Sequence, residues 1–260
     1  MNAGEGWMSA KVSAASQLRV NIDAAWAIAK KDMRIYYLKP PPIMFGIMFP
    51  FVIFFSFAIG RNVPAITLLP GLLSITIIFS ASSIGPMVIP TERRVRTFER
   101  LRSAPISAYS ITLGKILSGF LFSVAVAIIP LIIGLAWLAA QIVSFTGLFL
   151  GVVLPAFCFA TLGILFAMLP TENPGDIMMA LNVVRLPLIF ISGLFIPLES
   201  LPTWGQAVAA FSPLTYANDL VTYAFQGKTV YGVLVDCLVL LVFTGAFLLL
   251  SARLERKFKK

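Results

Sequence analysis

Histidine is absent from the 260 residues, and cysteine occurs only twice. Without histidine, imidazole acid–base chemistry, histidine-ligated haem and most zinc sites are excluded. Cys158 and Cys237 both lie inside apolar runs and read as small buried hydrophobes, with no disulfide expected. Charge is scarce too. Only 12% of the residues are charged, against roughly 25% in soluble domains, too little polar surface to cover a soluble core of this size. No phosphate-binding loop is present: Gly114-Lys115 has neither the upstream glycine nor the following Ser or Thr of that motif. No nucleophile stands near a base, and no carboxylate pair is close in sequence. The expectation is a chain with no catalytic residue, no metal and no cofactor of its own.

Apolar sequence is what the chain has instead. Hydrophobic residues make up 59% of it, in runs near the length of about 20 residues that a helix needs to cross a bilayer. The runs are too continuous for barrel strands, and a spanning backbone must satisfy its own hydrogen bonds. The fold class expected is therefore all-α and polytopic, with six transmembrane helices. The spans read as Ile43 to Ile59, Ala65 to Ile89, Tyr109 to Ala139, Phe145 to Leu169, Ile177 to Ile196 and Val230 to Ala252.

Residues 1–20 read as a flexible cytoplasmic tail, without the apolar stretch of a cleavable signal peptide. Residues 21–39 read as an amphipathic helix capped by Asn21. Ile22, Trp26, Ala29, Met33 and Tyr36 form one face, and Asp23, Lys30, Lys31 and Arg34 the other. Pro40-Pro41-Pro42 redirects the chain into a six-span domain, residues 40–252, and residues 253–260 form a basic cytoplasmic tail. Within Pro170 to Asp176, Asp176 reads as a helix cap. Leu198 to Lys228 is apolar but punctuated. It reads as two short pieces that dip into one leaflet, the second from Pro213, capped by Ser212, to Gln226, with Gly227 as its stop. That second piece would rise about 21 Å, too little to cross.

Basic residues set the orientation. They cluster before the first span, between the second and third (Arg93, Arg94, Arg96, Arg100, Arg102), and after the sixth; the other side holds only Arg61 and Lys228. Both termini are thus expected in the cytoplasm, and the apolar stretch before the last span outside. Basic clusters at membrane boundaries argue for topology and against a nucleic-acid partner.

The segment Thr91 to Pro105 is the most charged of the chain. Val95, Phe98 and Leu101 make an apolar stripe, and Glu92 can pair with Arg96. Its order Glu92-Arg-Arg-Val-Arg-Thr-Phe-Glu-Arg-Leu-Arg-Ser-Ala-Pro-Ile-Ser107, followed by Gly114-Lys115, resembles the signature of ABC-2 type permeases. Ser192-Gly-Leu-Phe-Ile-Pro197, Leu201-Pro-Thr-Trp204 and Ser212-Pro-Leu-Thr-Tyr216 are a second match. The family often carries Glu-Gly where this chain has Arg94-Val95 to Arg96.

The resemblance implies a half-transporter: two permeases, a homodimer, around a path, with two separately encoded ATPase subunits that carry ATP and Mg. It implies an amphipathic connecting helix at the N-terminus and a cytoplasmic coupling helix between spans 2 and 3. ATPase docking would fall to Glu92, Arg93, Arg94, Arg96, Thr97, Phe98, Glu99, Arg100 and Leu101, with Trp26 and Lys30 on the connecting helix. External re-entrant helices would carry Trp204, Pro213, Leu214, Thr215, Tyr216 and Asp219, and spans 1, 2 and 5 would lie nearest the dimer axis. The function implied is multidrug-type or lipid-like export across the plasma membrane.

Charge inside spans adds one candidate. Arg185 lies deep in span 5, where a cation turns to a bundle interior or a wet cavity, and it reads as a contact for an anionic or polar substrate group. Phe51, Phe55, Phe79, Phe190 and Phe195 complete a candidate apolar substrate path. Lys115 reads as a snorkelling lysine near a span end, and Asp236 as structural. Two other readings remain open: export of a lipid-linked glycan, and an ATP-independent transporter or structural subunit.

Overall fold

A computed structural model describes residues 14–58, 65–136, 140–196 and 198–257. The first part of the N-terminal tail, the turn at Gly60-Arg61-Asn62, the end of the third expected span, Pro197 and the last three residues lie outside them. All regular structure among the described residues is helical. Its elements are α1 (Ala14–Tyr36), α2 (Pro40–Ile43), a π-helical stretch (Met44–Met48), α3 (Phe49–Ala58), α4 (Ala65–Arg94), α5 (Thr97–Ser103), α6 (Ala108–Ala136), α7 (Phe145–Ala167), α8 (Pro174–Ile191), a 3₁₀ turn (Leu198–Ser200), α9 (Thr203–Ala210), α10 (Pro213–Gln226) and α11 (Val233–Lys257).

Five of these, α4, α6, α7, α8 and α11, are long and apolar enough to cross a bilayer, and the shorter apolar stretch Met44–Ser56 precedes them. The chain is thus a multi-pass helical membrane protein. The helix α4 is its axis: 94% of its apolar window is buried inside the chain, against 17% for α11. It packs on α6, α7, α8, α10 and α3.

Small residues let it do so. Membrane helices gain little from apolar contact alone and associate through close packing. Along α4, the hydroxyls of Thr76, Ser80, Ser82 and Ser83 donate to the carbonyls of Leu72, Thr76, Ile78 and Phe79 one turn earlier. Each polar side chain is satisfied within its own helix and leaves the surface flat. Facing glycines close the gap. A Cβ built on Gly163 of α7 would lie 2.5 Å from the Ser82 carbonyl oxygen, and one on Gly119 of α6 2.7 Å from that of Ala81.

Several boundaries differ from the sequence reading. Helix α1 starts at Ala14, so Asn21 is an interior residue and not a cap. Its packed face is Ala25, Ile28, Ala29, Asp32 and Tyr36, whereas Ile22 and Trp26 are exposed. An apolar moment cannot distinguish a face that meets protein from one that meets lipid. The cap of α8 is Asn173, whose side chain accepts from the Gly175 amide. Asp176 sits in the first turn and accepts from Thr171 and from the Asn173 side-chain amide. That helix ends at Ile191, short of Ile196, because Gly193 turns the chain at φ 78° and a Cβ there would collide with Leu198. At the other end, α11 runs to Lys257, so Arg253 to Lys257 are helical and not a tail.

Gly163→Ala should lower stability by about 1–3 kcal/mol through forced separation of α4 and α7. Gly245→Ala in α11, where nothing lies within 4 Å of a built Cβ, should be neutral or stabilise by up to ~1 kcal/mol. Thermal unfolding of the two purified variants in one detergent checks both; equal shifts would count against the close crossing.

Candidate functional site

At one end of the bundle the sequence places charges that the apolar interior must neutralise. Lys115, in the second turn of α6, is 2% exposed; Asp32 of α1 is 0% and Glu92 of α4 3% exposed. Lys115 Nζ lies 2.7 Å from Glu92 Oε2 and 3.0 Å from Asp32 Oδ2. Lys31 Nζ lies 2.9 Å from Asp32 Oδ1 and also donates to Glu92 Oε1. Two cations and two carboxylates thus form one neutral cluster that joins α1, α4 and α6. Burial weakens the Lys31 proton, but the Asp32 and Glu92 carboxylates outweigh it and hold the ammonium well above the usual lysine range. Lys115 therefore does not snorkel; it is the buried centre of the joint.

Gly114 makes the joint possible. A Cβ there would sit 2.7 Å from the Ala25 carbonyl oxygen and 2.8 Å from the Ile28 Cβ. Only a glycine lets α1 lie directly on α6, which brings Asp32 over Lys115. The Tyr37 hydroxyl extends the contact by donating to the Ser118 carbonyl at 2.5 Å.

The short helix α5 projects beside this joint. Helix α4 continues to Arg94, so Glu92 belongs to α4 and faces inward. Its expected pairing with Arg96 does not occur; its carboxylate is taken by Lys115 and Lys31. Arg96 turns the chain at φ 55° and ψ 18°, the left-handed region that costs a side-chain-bearing residue strain. Phe98 is buried, and the Arg93 guanidinium lies 5.6 Å from its ring centre while donating to the Leu169 carbonyl at 2.6 Å. Val95 is exposed and leaves the expected stripe to Phe98 and Leu101. Arg94, Arg96, Thr97, Glu99 and Arg100 face outward. Arg96, Glu99 and Arg100, with Ser103 and Ala104, line a shallow groove of about 520 Å³. On α1, Trp26 and Lys30 are exposed.

The candidate substrate path does not assemble into one site within the chain. Arg185 is fully buried; its Nε donates to Ser82 Oγ at 3.0 Å, and its two terminal nitrogens to Ser83 Oγ and Asn182 Oδ1 at 3.3 Å. Its guanidinium stacks 5.1 Å from the ring centre of Phe79, also fully buried. Phe51 and Phe55 pair on α3, and Phe190 and Phe195 at the end of α8. Phe55 and Phe190 are about half exposed.

At the opposite end of α4, the residues around α10 form a compact knot. Ser212 and Ser192 hydroxyls share a 2.6 Å hydrogen bond. Thr215 and Tyr216 donate to the carbonyls of Ala209 and Ala210 at 2.7 and 2.8 Å. Leu214 is fully buried, Pro213 opens α10, and Trp204 is exposed on α9. Gly227 closes α10 at φ 69°, so Gly227-Lys228-Thr229 serves as a helix stop. Asp219 lines a cavity of about 540 Å³ with Thr67, Leu68, Phe195, Asn218 and Lys228 among its walls.

Sequence reasoning missed Lys31, Asp32 and Lys115. The signal was present: a glycine beside a lysine early in a span, and an aspartate on the amphipathic helix, each costly unless paired.

A family model for the ABC-2 type transporter matches residues 16–226. The inner membrane transport permease YadH of Escherichia coli (strain K12) is 27% identical over 241 residues, covering 89% of this chain and 93% of the relative. The putative transport permease ycf38 of Cyanophora paradoxa is 28% identical over 174 residues, 60% of this chain and 54% of the relative. Nodulation protein J of Rhizobium leguminosarum bv. viciae is 26% identical over 171 residues, 62% of each.

Lys115→Met should cost about 3–5 kcal/mol, since it strands Asp32 and Glu92 in the interior. Lys31→Met, at a lysine whose side chain is 38% exposed, should cost less than ~1 kcal/mol. Thermal unfolding of both variants measures the difference; similar costs would argue against Lys115 as the centre.

Proposed function

The chain belongs to the ABC-2 type transporter family, and from that we propose that it is the membrane permease subunit of an ATP-driven exporter of hydrophobic or amphipathic compounds, drug or lipid-like. In this reading two copies pair around the path, and the chain itself is no enzyme. ATP with Mg is bound and hydrolysed on two separate ATPase subunits. Met44–Ser56 with the residues that follow serves as the first of six spans, and both termini lie in the cytoplasm of a cell whose plasma membrane holds the protein.

The observation that carries the reading is the placement of α5. It is a short charged helix set between two spans, with an anchored inner side and an outward face of Arg96, Glu99 and Arg100. Behind it, the Lys31–Asp32–Glu92–Lys115 cluster ties α1 to the same end of α4. A push on α5 or α1 by a closing ATPase pair reaches α4 through charges that cannot separate cheaply. Phe98 is an anchor of α5 in this scheme, and contact with the ATPase falls to the exposed residues. Arg185 supports a polar or anionic group on the substrate, because its partners Ser82, Ser83 and Asn182 are all neutral.

Copurification from native membranes tests the assembly. The chain should recover an ATPase, and charge reversal by Glu99→Lys with Arg100→Glu should lose it while the permease stays folded. Recovery of a folded permease with no ATPase would favour an ATP-independent protein. Arg185→Met should keep the complex assembled and remove substrate-stimulated ATP hydrolysis; unchanged stimulation would confine Arg185 to a structural role.

A further inference from the structure

Arg93 does not face outward as Arg94, Arg96 and Arg100 do. It sits half-buried in the last turn of α4, and its guanidinium meets two different elements. It lies 5.6 Å from the ring centre of Phe98, the buried residue of α5. Its Nη1 donates to the Leu169 carbonyl at 2.6 Å, just past the end of α7. A hydrogen bond from an ionised donor is roughly twice as strong as a neutral one. A planar guanidinium can stack on a ring and donate in its own plane at once, which a lysine ammonium cannot do.

From the Leu169 carbonyl, hydrogen bonds run on without a break to α8. That carbonyl also accepts the Thr171 N–H at 2.9 Å. The Thr171 hydroxyl donates to Asp176 Oδ2 at 3.1 Å and accepts the Asn173 N–H at 3.2 Å. Asn173 caps α8 and donates through Nδ2 to Asp176 Oδ1 at 2.8 Å. Residues 169–176 are thus a braced turn, tied at one end to Arg93 and at the other to the first turn of α8. Helix α8 is also free to respond: 28% of its apolar window is buried within the chain, against 94% for α4 and 61% for α7.

We propose that Arg93 is a positioning residue that straps α5 to the α7–α8 turn, so that a displacement of α5 is delivered to α8 and to Arg185 on it. The inference rests on the reading of α5 as the ATPase contact and adds a second route to it. The Lys115 cluster carries a push to α4, which is closely held. The strap carries the same push to α8, which is not. Arg93 acts inside the permease, and the exposed arginines beside it are left to meet the ATPase.

Amide hydrogen exchange of the purified full chain, read in α5 and in residues 169–178, tests the strap without an ATPase. Arg93→Met and Phe98→Ala should each speed exchange in residues 169–178 by about tenfold. Arg93→Lys, which keeps the charge and loses the planar stack, should fall between them and the wild type. Unchanged exchange there in Arg93→Met would overturn the proposal, as would an effect of Phe98→Ala confined to α5. The permease–ATPase complex from native membranes then tests transmission. In the wild type, ATP with Mg should change exchange both in α5 and in residues 169–178. Arg93→Met, and Thr171→Val beyond the strap, should keep the ATPase bound and the change in α5, and lose the change at the start of α8. A wild-type response confined to α5, or one at α8 that persists in both variants, would overturn the proposal. Should Arg93→Met fail to fold, Arg93→Lys and Thr171→Val decide the matter. Should no ATPase be recovered, the proposed function fails, and the free permease alone decides the strap.

Discussion

A lysine buried between two carboxylates holds the architecture of this protein at its charged end. In a bilayer-facing interior an unpaired ion is far costlier than a misplaced methyl group. Lys115, Asp32 and Glu92 therefore leave α1, α4 and α6 one relative placement. The amphipathic helix α1 is held by this cluster and by the Gly114 contact, so it is part of the folded domain. The short helix α5 inherits its position from the same place, since it starts just beyond Glu92 and is anchored by Phe98 and Arg93.

Between its ends the chain relies on the opposite chemistry. Helix α4 is lined with serine and threonine, yet its hydroxyls return to their own helix or to neighbours such as Ser123, and glycines on α6 and α7 press against its backbone. Such a helix is stiff and closely held. Its C-terminal end carries Glu92, and its N-terminal half faces α10, where Ser74 donates to Asn218. One rigid element thus reaches from the ion cluster to the knot around Ser192 and Ser212. In the proposed transporter this gives a continuous physical connection from the ATPase side to the far side.

The motif residues that resemble the ABC-2 pattern acquire separate physical reasons. Gly114 admits the α1 backbone and Lys115 neutralises two carboxylates. Gly193 turns the chain out of α8, and Ser192 binds Ser212 across the turn. Glu92 is a structural counter-ion. Arg96 occupies a left-handed position where a glycine would be unstrained. It puts a cation at the apex of the turn into α5.

The sequence alone determined the helical membrane class, because long apolar runs leave a spanning backbone no other way to satisfy itself. It also showed the ends of α10, since Ser-Pro and Gly act locally through fixed φ, a missing amide and a left-handed turn. Apolar periodicity marked α1 as amphipathic and put Ala29 and Tyr36 on its apolar face, both of which pack inside, but it could not tell that Ile22 and Trp26 of that face stay exposed while Ala25, Ile28 and Asp32 pack. Glu92 could be paired on paper with Arg96 because both lie within one turn of a helix. Its real partners, Lys31 and Lys115, are brought to it by α1 and α6, at separations of 61 and 23 residues. Arg185, Lys115 and Asp236 were visible as charges in apolar sequence. Whether each was paired, caged by polar side chains or left without a hydrogen-bond partner depended on which helices stood beside it, and only the tertiary structure decided that.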